Sequence, residues 1–252
     1  MFPYKDENPT ELTPVVTVGI IALNLLAWVF LQGMGAEEPL TRSVCQLGLI
    51  PGAVLGTAPA GTSVPLGPGV VCVLPAEFHP WTVLTSMFMH GGWFHIIGNM
   101  WFLWVFGNNI EDSMGHARFV VFYLLCGVAA AAAQILAAPR SVVPMVGASG
   151  AISGVMGAYV LLYPRVRVHT FVTLGFFLTR MTLPAYVILG YWFVLQLLMG
   201  AVGALSATEG GVAVWAHVGG FVAGLVLVKL FANPEFLERR RVGGAAFLPR
   251  DV

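Results

Sequence analysis

The chain alternates between long uncharged stretches and shorter polar or Gly- and Pro-rich connections. The first stretch, VVTVGIIALNLLAWVFLQ after Pro14, has no ionisable group, and five comparable ones follow. An α-helix needs about 20 mostly apolar residues to cross roughly 30 Å of hydrocarbon. The pattern therefore predicts six spans, near 14–33, 91–110, 119–137, 147–163, 183–203 and 211–229. The expected fold is an all-α polytopic membrane protein, a bundle of six transmembrane helices. It forms one domain over 14–232, between an N-terminal tail of 1–13 and a C-terminal tail of 233–252, with no internal repeat. The longest connections are 34–90, read as an external first loop, and 164–182. The first apolar run is as long as a full span and lacks a small-residue cleavage site, so it is read as a span and not as a cleaved signal.

Composition agrees with this pattern. With 58% hydrophobic and 10% charged residues and a mean hydropathy of +0.83, the chain has too little polar surface for a soluble domain of its size. The net charge of zero gives no reason to expect a nucleic-acid partner. The expected partner is the lipid bilayer. If both termini face the cytoplasm, the inner segments hold ten basic residues, from Lys5, Arg118 and Arg165 to Arg250, and the outer ones hold Arg42 and Arg140. This bias predicts cytoplasmic termini, and the lack of an organelle-type leader favours a prokaryotic plasma membrane. In the first loop Cys45 and Cys72 either pair, if the outside is oxidising, or stand as unpaired packing residues. Cys126, inside the third span, is a packing residue.

Polar residues within the spans carry the candidate chemistry, because hydrocarbon penalises them and they turn toward the bundle interior. His95 and Asn99 are four apart near the outer end of the second span, hence on one helix face. Ser149 heads the fourth span, followed by small residues at Gly150, Gly154 and Ala158 that permit close helix approach. His217, Gly220 and Gly224 share a face of the sixth. Any one of these residues alone reads as interhelical hydrogen bonding or small-residue packing. Spans two, four and six, however, all run from outside to inside and carry their polar residues at the same depth. His217 is placed to take a proton from Ser149. The Ser149 N–H at a helix start, the Asn99 amide and His95 are candidate donors to an oxyanion. No carboxylate lies in the outer halves of these spans, so the arrangement reads as a dyad held by packing, with no metal or cofactor. Glu111 reads as a structural group at a helix end and His169, among Arg165, Arg167 and Arg180, as a surface residue. His90 and Trp93 are candidates for the cavity mouth, with Trp93 equally an interfacial anchor.

The run from His90 through Gly91-Gly92-Trp93-Phe94-His95 to Asn99, then Gly147-Ala148-Ser149-Gly150, then Ala216-His217-Val218-Gly219-Gly220 through Gly224 resembles the rhomboid family of intramembrane serine proteases. The resemblance implies a six-helix core, a Ser149 and His217 dyad, and oxyanion roles for His95, Asn99 and the Ser149 N–H. It also implies substrates that are transmembrane segments of other membrane proteins, cut near the outer face. Entry is expected between spans two and five, with Tyr191, Trp192, Phe193 and the loop 204–211 as gate and cap elements. The sequence departs from some members in two places. Ser153 stands where a Tyr packs on the catalytic histidine, and the first loop lacks a Trp-Arg pair. A non-catalytic rhomboid-like binder of transmembrane clients is the alternative. A small transporter or channel would place carboxylates or broken spans at the midplane.

Overall fold

A computed structural model describes residues 1–67, 70–74, 79–174, 177–206 and 213–242. Ten α-helices occur among them: α1 (Val15–Phe30), α2 (Glu37–Leu47), α3 (Pro51–Val54), α4 (Thr82–Thr85), α5 (Trp93–Met114), α6 (His116–Ala137), α7 (Ser149–Leu162), α8 (Ala185–Ser206), α9 (Val214–Phe231) and α10 (Pro234–Val242). The predicted spans correspond to α1, α5, α6, α7, α8 and α9. Helix α7 is the axis of the bundle, with every residue from Gly150 to Tyr159 buried. It packs on α5, α6, α8 and α9. Buried Phe106, Phe119, Phe122, Tyr123, Tyr159 and Tyr163 fill the space around its C-terminal half. The outer faces of the surrounding helices are apolar as well, with Leu23 and Leu26 on α1, Leu198 and Val202 on α8, and Val226 and Leu230 on α9 all exposed. Apolar residues both inside and outside mark an integral membrane protein.

Length and polarity divide the six helices. Helices α6, α9 and the stretch Ala185–Gly203 of α8 are long and apolar enough to cross a membrane. Helix α5 has 22 residues but ends in Asn108, Asn109, Glu111 and Asp112. Helix α1 has 16 residues and α7 only 14, so α7 rises about 21 Å. The apolar run continues upstream of Ser149, but the chain there is extended and held by strand-like bonds. Met145 and Leu49 exchange two backbone hydrogen bonds (2.7 and 2.9 Å), and the Gly147 N–H donates to the Ser86 carbonyl at 2.8 Å.

The all-α expectation needs correction at both ends of the bundle. The first loop contains a hairpin, β2 (Ser63–Gly67) and β3 (Val70–Val73). It packs through Val64, Cys72 and Leu74 on Ile50 and Val142, and Cys45 and Cys72 form a disulfide with Cα atoms 5.6 Å apart. At the other end β1 (Phe2–Asp6), β4 (Arg167–Leu174) and β5 (Phe177–Pro184) form an antiparallel sheet in the order β1-β4-β5. Residues 2–6, expected as part of a polar tail, are its first strand. In β4 the buried Val168, Thr170 and Val172 alternate with more exposed Arg167, His169, Phe171 and Thr173. This period of two is the signature of a half-buried strand. His169 is partly exposed and pairs with Glu7 at 3.0 Å.

Candidate functional site

The extended segment before α7 sets the position of Ser149. Gly147 has φ +125°, and a Cβ at that position would lie 2.7 Å from His95 Nε2 and 3.5 Å from Asn99 Nδ2. Only glycine lets the chain pass between these side chains in this conformation. Two residues later the backbone enters the helix, so the Ser149 N–H has no intrahelical acceptor, and none of the backbone contacts among the described residues supplies one.

His217 sits in the first turn of α9. Its Nε2 is 2.8 Å from Ser149 Oγ and its Nδ1 is 2.9 Å from Gln196 Oε1 on α8. An amide oxygen only accepts, so Nδ1 carries the ring proton and Nε2 is free to accept from the serine hydroxyl. Trp192, one turn earlier on α8, brings its ring to 5.7 Å from the imidazole at 43°. Ser153 offers no ring, and its Oγ donates to the Ser149 carbonyl at 2.6 Å. Helix α9 can come this near because it meets α7 glycine to carbonyl. A Cβ on Gly220 would overlap the Gly150 carbonyl oxygen, and one on Gly224 that of Gly154.

The other wall belongs to α5. His95 Nδ1 accepts the Gly91 N–H at 3.2 Å, so its proton is on Nε2, the nitrogen beside Gly147. Asn99 is buried and its Nδ2 has no hydrogen-bond partner. Desolvating an amide N–H without a partner costs about 1–3 kcal/mol, and native structures seldom leave such a group without a reason. Behind His95 the fully buried His90 meets its ring edge to face at 5.1 Å. The His90 backbone is fixed by Gln32, whose amide accepts its N–H and donates to its carbonyl, both at 2.8 Å.

These groups face a cavity of ≈ 630 Å³, walled by Phe94, Gly98 and Phe102 of α5, Met156 of α7, and Trp192. Ser149, His217, His95 and Asn99 all line it. His90 and Trp93 do not. His90 is buried behind His95, and Trp93 is exposed on the outside, packed edge-on against Trp28 at 5.3 Å. The aromatic triplet on α8 splits three ways. Tyr191 is exposed, Trp192 faces His217, and Phe193 stacks on Phe221 at 4.5 Å. Residues 207–211 of the expected cap lie outside the described residues, while 204–206 continue α8. Gln196 is the partner that the sequence reading passed over. The available signal was an isolated amide in an otherwise uncharged, apolar span.

The comparisons with known proteins follow the same residues. The model of the Rhomboid domain matches residues 77–234, more than half of the chain and all four cavity residues above. Among similar proteins, RHOMBOID-like protein 6, mitochondrial, of Arabidopsis thaliana is 29% identical over 150 residues, 58% of this chain and 42% of that protein. Rhomboid protease GluP of Bacillus subtilis is 30% identical over 162 residues, 64% of this chain and 28% of its own. Rhomboid protein 1, mitochondrial, of Saccharomyces cerevisiae is 32% identical over 95 residues, 36% of this chain and 28% of its own. The chain thus spans less than half the length of these relatives. The family match covers the whole site, and the chain belongs to the rhomboid family.

Proposed function

We propose that this protein is an intramembrane serine endopeptidase that cuts transmembrane segments of other membrane proteins. The observation that carries the reading is the 2.8 Å contact of His217 Nε2 with Ser149 Oγ inside a cavity that His95 and Asn99 also line. Ser149 Oγ attacks the scissile carbonyl carbon as His217 Nε2 takes the hydroxyl proton. Negative charge develops on the carbonyl oxygen, and the Ser149 N–H, the Asn99 amide and the His95 Nε2–H are the donors for it. Collapse of the tetrahedral species breaks the C–N bond, and the leaving amine takes the proton from His217. Water then repeats the sequence on the acyl-enzyme and restores Ser149. No carboxylate assists. Gln196 holds the imidazole in the working tautomer, and Trp192 packs against its ring.

In this reading α1, α5 and α7 cross the membrane together with α6, α8 and α9, with both termini in the cytoplasm of a prokaryotic cell. The basic Arg165 and Arg167 follow the inner end of α7, so the shortfall in its length falls at the outer end. A helix rising about 21 Å in about 30 Å of hydrocarbon starts on the order of 10 Å below the outer face. Irregular backbone at that depth is tolerated where protein satisfies it, as the Leu49 and Ser86 bonds do here. Substrate helices enter between α5 and α8.

The test is cleavage of a single-span reporter in liposomes by wild type, Ser149→Ala and His217→Ala. Cleavage by wild type that both substitutions abolish, with folding intact, is the expected result. Cleavage that survives Ser149→Ala contradicts the mechanism. A wild type that binds the reporter without cutting it points to a client-binding protein.

A further inference from the structure

The strand β1 is not a loose leader but is fastened along α5. The Trp101 indole N–H donates to the Pro3 carbonyl at 2.7 Å. The Phe2 ring lies 5.5 Å from that of Trp101 and 5.9 Å from that of Phe102. At the other end of the strand Asp6 Oδ2 accepts from Tyr159 Oη at 2.6 Å and from Asn109 Nδ2 at 2.8 Å. The strand therefore runs beside α5 from the level of Trp101 to that of Asn109. The sheet register, Phe2 opposite Phe171 and Asp6 opposite Val168, carries β4 through the same levels. From β5 the chain passes directly into α8, whose first N–H donates to the Val166 carbonyl at 2.8 Å. Among the described residues α5 and α8 have no extensive contact with each other, whereas β1 packs on α5 and both β4 and β5 meet α8.

The place of this sheet relative to the cavity follows from helix rise. Phe102 both walls the cavity and touches Phe2. It is three residues further along α5 than Asn99, which is about 4.5 Å toward the inner face. The upper end of β1 thus lies just below the oxyanion donors, on the side where α5 and α8 part.

We propose that β1, carried by the β4–β5 hairpin, is a sill across the inner half of the opening between α5 and α8, and that Phe2, backed by Trp101, sets how deep a substrate segment can seat. The inference rests on the proteolytic reading above and adds a determinant of cleavage position to it. A substrate leaves its helical form at the site and extends at about 3.3 Å per residue. It meets the Phe2 and Phe102 step within a few residues on the inner side of the scissile bond and must turn out toward lipid there. The substrate class selected is a transmembrane segment that is apolar at this step and readily unwound above it, and not a continuous helix.

The sill is tested by mapping, with mass spectrometry, the bond cut in a set of reporters whose small-residue cleavage sequence is moved stepwise through the membrane. Wild type, Phe2→Ala, Phe2→Trp and Trp101→Phe are compared, with fluorophosphonate labelling of Ser149 as the measure of correctly folded enzyme. Phe2→Ala should move the main cut inward by at least about one residue of extended chain. Phe2→Trp should move it outward, and Trp101→Phe should broaden the set of bonds cut. Labelled enzyme that cuts the same bond in all four proteins overturns the sill and leaves the protease reading standing. A wild type that neither labels nor cuts overturns both. Because Phe2 is 40% exposed, its substitution spares the core, and loss of label in Phe2→Ala alone would show a structural role in place of a positioning one.

Discussion

The two halves of the bundle, outer and inner in the orientation proposed above, both bury polar groups, and they treat them in opposite ways. At the inner end Glu111 is fully buried and saturated. Its carboxylate accepts the Val16 N–H at 2.9 Å, the Thr17 N–H and hydroxyl at 2.7 Å each, and meets His116 Nδ1 at 2.6 Å. It thereby caps the start of α1. Beside it Asp112 accepts the Leu12 N–H at 2.7 Å, and Asp6 is held by Tyr159 and Asn109. At the outer end the Asn99 amide has no partner, the Ser149 N–H is free of backbone acceptors, and both face a cavity. Residue type would favour the inner end as a reactive centre, since that is where the carboxylates lie. Satisfaction of hydrogen bonds points the other way: saturated groups hold helices together, and in the function proposed above the unspent donors are the ones left for a substrate.

Substitutions at five positions sharpen this contrast. Ser149→Ala or His217→Ala should lower kcat by at least about a thousandfold, because each removes half of one proton-transfer unit, as read by reporter cleavage in liposomes. Asn99→Ala should lower kcat by about 10²-fold, the cost of one oxyanion donor. Its KM should hardly change and its melting temperature should not fall, because Asn99 Nδ2 has no hydrogen bond to lose in the resting protein. Gln196→Ala should lower kcat about tenfold, the equivalent of one lost orienting hydrogen bond of about 1.4 kcal/mol, and Gln196→Glu should recover part of it. Glu111→Gln should leave kcat per labelled molecule unchanged and reduce stability by about 1–3 kcal/mol, seen as a lower unfolding midpoint in detergent. A large loss of kcat in Glu111→Gln, or of stability in Asn99→Ala, would break the division between the two halves.

Much of the outer site was legible because membrane helices make polar residues conspicuous. His95, Asn99, Ser149 and His217 stood out against uncharged spans, and spacing placed them on inward faces: His95 is four residues from Asn99, His217 three from Gly220, and Ser149 heads the row Gly150, Gly154 and Ala158. Gln196 was equally conspicuous, but its spacing relates it to no other polar residue of α8. Its partner His217 lies on another helix, and only packing joins them. Trp192 could not be told from Tyr191 and Phe193, since three adjacent aromatic residues point to three sides of a helix. The β1-β4-β5 sheet was missed for a different reason. Its alternation of Val168, Thr170 and Val172 with Arg167, His169, Phe171 and Thr173 is plain, but the stretch lies in the connection 164–182, where Arg165, Arg167 and Arg180 mark a surface. Its pairing with residues 2–6 is a long-range contact that local pattern does not record. The early start predicted for the fourth span has a similar cause. Apolar composition does not separate a helix from an extended segment whose N–H groups find carbonyls elsewhere.

The most direct test of the central claim is the site of covalent modification by a fluorophosphonate, read by mass spectrometry on the protein in liposomes. The account predicts one adduct, on Ser149, that is lost in His217→Ala and retained in Glu111→Gln. An adduct on another residue, or one on Ser149 that forms equally well without His217, would contradict it.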